Sequence, residues 1–207
     1  MACSDTVSSP HAAGAAAQNT LFTAFTGRSP KTLDPTSSYA SDETPFTYHI
    51  YETPLQYHYL KRPYELIAGI SSLPQVTWLD AAGKPVQNAA QAATSIYTLK
   101  ITPNVQFQPH PAFAAGALQL KPEAIAGRYS PHDFALSGTR AVTAHDFAYS
   151  IKRLATPRVP SPVFGHLSEY IVGLKALGAE LKAVDKTMLA GLPSTQRDKP
   201  FLDLRKF

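Results

Sequence analysis

Apolar and polar positions alternate most clearly from Ser95 to Ile101, where Tyr97, Leu99 and Ile101 interleave with Ile96, Thr98 and Lys100. That period of two predicts a half-buried strand. Val76 to Leu79, with two β-branched residues and a tryptophan, predicts a second strand. Asp80 to Pro85 supplies turn chemistry between them, and Val86 to Thr94 reads as a longer loop. Upstream, the aromatic and β-branched run Asn19 to Thr26 predicts a strand, followed by a turn-like loop over Gly27 to Lys31. Phe46, Ile50 and Pro54 keep a loose helical spacing, which predicts a helix from Asp42 to Glu52.

Further along, Pro103 and Asn104 turn the chain into Val105-Gln106-Phe107, and residues 108 to 140 show no clear period. Their four prolines mark a long insertion with one short helix. Thr143 followed by Asp146 fits the capping box that starts a helix. Thr143 is expected to accept from a first-turn N–H while Asp146 reaches back at the positive end of the helix dipole. Phe147, Ile151 and Leu154 then form a stripe expected to be buried, and Pro157 and Pro160 stop the helix. Further helices are predicted over Pro162 to Tyr170 and Leu174 to Leu177, with residues 191 to 207 loop-like.

Composition changes this picture little. The 207 residues are 44% hydrophobic and 16% charged, as in a folded globular protein. Eighteen prolines spread along the chain favour short elements over a helix bundle. The net charge of +4 comes from scattered basic residues, so charge patterning does not point to nucleic acid. No apolar stretch approaches the roughly 18 residues that span a bilayer.

Candidate chemistry is sparse. The seven histidines include no H-x-x-x-H pair, and the one cysteine, Cys3, rules out a multi-thiolate metal site within the chain. A G-x-S-x-G elbow is absent, and Gly83-Lys84 lacks the rest of a phosphate loop. Tyr48, Tyr51, Tyr57 and Tyr59 could stack bases, but with few positive charges nearby they read as core and groove lining. No enzyme activity, metal or cofactor is expected. Cys3 follows a small residue and precedes a Ser/Ala/Gly-rich stretch, which looks like the end of a bacterial lipoprotein signal, with Cys3 as the lipid anchor. The other reading is a chance cysteine at a linker-like start.

The segment from Val142 to Pro157 closely resembles solute-binding proteins of family 5, the oligopeptide- and dipeptide-binding group that serves ABC importers. Its Thr-Ala-His-Asp start, Ser150, Arg153-Leu154 and Pro157 carry the likeness. Leu33-Asp34-Pro35, Tyr51-Glu52 with Leu55, Tyr97 to Lys100 with Val105 and Phe107, and Ser161-Pro162 match the family's other blocks in order. The departure is the insertion from Gln108 to about Arg140. Longer members that carry Gly-Thr-Arg before the helix, as Gly138-Thr139-Arg140 does here, look nearest.

The resemblance implies an α/β fold: part of the N-terminal lobe of a type II periplasmic-binding-protein-like clamp, incomplete in this chain. Residues 1–18 would be a flexible, lipoprotein-like tether and 19–41 the first strand and loop of lobe 1. Residues 42–185 would be the small subdomain, and 186–207 a truncated connection back to lobe 1. It further implies a periplasmic monomer that binds oligopeptides for the membrane permease. The ligand-binding candidates are Thr26, Gly27, Arg28 and Ser29, whose backbone would run along an extended peptide. A clamp with half its contacts gone would fall from about 1 μM toward about 1 mM in affinity. The contrasting expectation is a truncated product, or an exported interaction module without a ligand.

Overall fold

The computed structural model describes residues 29–117, 122–197 and 200–207. The predicted strand over residues 19–26, Cys3 and three of the four ligand-loop candidates lie outside the described residues. Within them the fold is mixed α/β, with five α-helices and two small antiparallel sheets. The elements are α1 (Thr44–Ile50), β1 (Leu55–Tyr57), β2 (Leu66–Ala68), β3 (Gln75–Leu79), β4 (Pro85–Val86), β5 (Thr94–Thr98), α2 (Pro122–Ile125), α3 (Ala144–Ala155), α4 (Phe164–Tyr170) and α5 (Leu174–Leu189).

The larger sheet has the order β4-β3-β5, and β3 meets β5 with Val76 opposite Tyr97 and Trp78 opposite Ser95. Asp80 makes the β3–β4 turn, since its Oδ1 accepts from Ala82 N–H at 2.8 Å and Lys84 N–H at 2.9 Å. Gly83 completes that turn at φ +77°, a conformation a side chain would disfavour. The expected turn is therefore present. The expected half-burial of β5 is not: Tyr97 is 62% exposed and Ile96, on the other face, 46%. Alternation reports that a strand has two faces, and here each face of β5 carries a largely exposed apolar side chain. The strand also stops at Thr98, and Ile101 makes a lone bridge to Ser71.

That bridge joins the two sheets. Thr102 N–H donates to Ile70 O and Ser72 N–H to Lys100 O, while Ser71, fully buried, donates its hydroxyl to Pro54 O at 2.9 Å. The β1–β2 hairpin itself was not anticipated. Its three-residue strands are too short to show a period. The helix expected over 42–52 is shorter, and Tyr51 and Glu52 lie beyond its end while Leu55 opens β1. Tyr48, Tyr51, Tyr57 and Tyr59 are all exposed, which corrects their reading as core.

The insertion is closed at its base. Phe107 N–H donates to Arg140 O, His110 exchanges two backbone hydrogen bonds with Gly138, and Val142 N–H reaches Val105 O. A Cβ on Gly138 would lie 2.2 Å from Phe113 O, so only glycine fits this crossing. Arg140 lies over Phe107 at 4.6 Å from the ring centre and forks onto Asp146 at the start of α3. One short helix, α2, sits inside the insertion, as expected.

The capping box on α3 is present in both halves as expected, the Thr143 side chain meeting the Asp146 backbone and the Asp146 side chain reaching back. Thr143 N–H donates to Asp146 Oδ2 at 2.8 Å, and the Thr143 hydroxyl donates to the same oxygen at 3.1 Å. The carboxylate is thus the hub of this cap. The predicted stripe is only partly covered: Phe147 and Leu154 are half-buried, Ile151 is exposed and the buried residue is Ala155.

The apolar core gathers at the C-terminal end of the chain. Ala155, Leu174, Leu181, Leu202 and Leu204 are buried, with Phe164, Leu167, Ile171, Leu177, Val184, Met188 and Phe207 packed around them. Leu174, Leu177, Leu181, Val184 and Met188 form one face of α5, which runs twelve residues past the predicted end at Leu177. Gly178 leaves room for the Phe164 ring, whose Cζ would sit 2.5 Å from a Cβ there. Residues 191–197 and 200–207 are loop and 3₁₀ turn as expected, yet Leu202 and Leu204 are core residues.

Candidate functional site

Of the ligand-loop candidates only Ser29 is described; it is exposed and irregular, and it leads directly into a highly organised loop. Asp34 starts that organisation: its Oδ1 accepts from Thr36 N–H at 3.0 Å, and its carbonyl accepts from the N–H groups of Ser37 and Ser38. Such an Asx turn is what an aspartate before a proline favours.

The same carboxylate is gripped from α3. Arg153 Nη1 reaches Asp34 Oδ1 at 3.0 Å and Nη2 reaches Oδ2 at 2.5 Å, a two-pronged fork across 119 positions of sequence. Both side chains are about 30% exposed, so the pair is neither dry nor free in solvent. Partial burial pulls the Asp34 pKa up. The hydrogen bonds from Arg153 and Thr36, with the charge of Arg153, outweigh that and hold it below 3.8.

Glu43 organises the other side of the loop. It is 3% exposed and stands one residue before α1. Its Oε1 accepts from Lys31 N–H at 3.2 Å and Thr32 N–H at 3.4 Å, and its Oε2 from Tyr39 N–H at 3.2 Å and Ala40 N–H at 3.4 Å. Burial raises its pKa, and hydrogen bonds from Ser38, Ala40, Lys31 and Thr32 more than reverse the effect. One carboxylate therefore closes both ends of the loop 31–40.

Beside Arg153 opens a cavity of about 210 Å³, lined among others by Tyr149, Thr156, Arg158, Phe201 and Leu204. Its cationic groups are committed: Arg153 to Asp34, and Arg158 Nε to Asp185 at 2.5 Å with Nη1 to Pro200 O. Arg158 Nη2 is buried and has no hydrogen-bond partner among the described residues. Among the described residues no three of His, Cys, Asp and Glu gather as a metal ion would require. Among the same residues no helix is long and apolar enough to cross a membrane.

Sequence reasoning named Asp34 and Arg153 in separate motifs and did not foresee their contact. It missed Glu43 altogether. The available signal for Glu43 was an acid just before Thr44-Pro45 at a helix start, which is weak by itself. No family model, curated protein or solved structure matches the chain.

Proposed function

We propose that this chain serves as the substrate-binding component of an ABC importer, taking up oligopeptides in the periplasm for a membrane permease. The reading rests on motif blocks that resemble those of family 5 solute-binding proteins. The observation that best supports it is the Asp34–Arg153 fork. Asp34 belongs to the Leu-Asp-Pro block and Arg153 to the Arg-Leu block, and chance matches would have no reason to meet in space.

On this reading the described residues supply the first loop and small subdomain of one lobe of a type II clamp. The segment Thr26 to Ser29 runs along the peptide, offering backbone N–H and C=O groups to an extended ligand as an added strand would. Cys3 carries the lipid that holds the protein at the membrane. Deleting the gene in its host and following uptake of a labelled tetrapeptide tests the reading. Uptake is expected to fall at least tenfold and to return with the intact gene. Unchanged uptake of di-, tri- and tetrapeptides would count decisively against it.

A further inference from the structure

We draw no further inference here: the strongest candidate, the exposed apolar patch formed by Tyr57, Tyr59, Leu60 and Tyr64 at the tip of the β1–β2 hairpin, carries nothing because Glu65 already pairs with the neighbouring Lys61 and nothing in the structure shows what covers the patch.

Discussion

Removing the Asp34 charge while keeping its shape, by Asp34→Asn, isolates what the fork to Arg153 contributes. The geometry is two-pronged, at 3.0 and 2.5 Å, which is the arrangement in which guanidinium and carboxylate match best. At an effective dielectric constant near 20, opposite charges about 4 Å apart attract by about 4 kcal/mol. Partial desolvation and the ordering of the Arg153 side chain oppose this, and both groups keep roughly 30% exposure. An exposed pair would be worth under about 1 kcal/mol, and the fork geometry raises that to a coupling of about 1–2 kcal/mol. A double-mutant cycle with Asp34→Asn and Arg153→Met, read by urea unfolding, measures the coupling free of the other effects of each change. The pH dependence supplies an independent sign. The folded pKa of Asp34 lies below 3.8, so its contribution is fully present above that value and fades as pH falls through the lower folded value. Wild type should lose this increment in acid and Asp34→Asn should not. A coupling below about 0.3 kcal/mol, or parallel acid profiles, would refute the reasoning.

Three further outcomes follow from the packing. Asp146→Ala should destabilise more than Thr143→Ala, by about 1–2 against about 0.5–1 kcal/mol, because the carboxylate takes both Thr143 donors and the Arg140 fork; equal losses in thermal melts would contradict this division. Leu181→Ala, at a position with no exposed surface, should cost about 2–5 kcal/mol in denaturant unfolding, and a loss under 1 kcal/mol would mean the α5 face is not the core. Gly138→Ala should cost about 1–3 kcal/mol, because its Cβ would meet the Phe113 carbonyl and backbone must move; an unchanged melting temperature would show that the base of the insertion is loose.

The parts of the fold written in local signals were legible. Asp80 and Gly83 named the β3–β4 turn, and Thr143 with Asp146 named the start of α3. Both devices act within a few residues, so sequence spacing determines them. What failed depended on neighbours distant in sequence. Tyr97 alternates correctly for a strand, but alternation does not state which element covers a face. Ile151 was assigned to a buried stripe although Ala155, Leu202 and Leu204 form the actual contact. Buried leucines near the end of a loop-like tail have no period to announce them. At the candidate site, Asp34 and Arg153 stood out individually, but a contact spanning 119 residues leaves no local trace. Glu43 bonds to backbone amides, which no side-chain pattern encodes.

The central claim, that the segment ending at Ser29 lies along an imported peptide, is tested most directly by placing a photocrosslinker there. Ser29→p-benzoylphenylalanine is produced in the host and irradiated during uptake of a labelled tetrapeptide. The account predicts a peptide adduct at position 29 that excess unlabelled tetrapeptide suppresses, with no such adduct from the same group at exposed Lys182 on α5. Labelling that is equal at both positions, or that unlabelled peptide does not compete away, would contradict it.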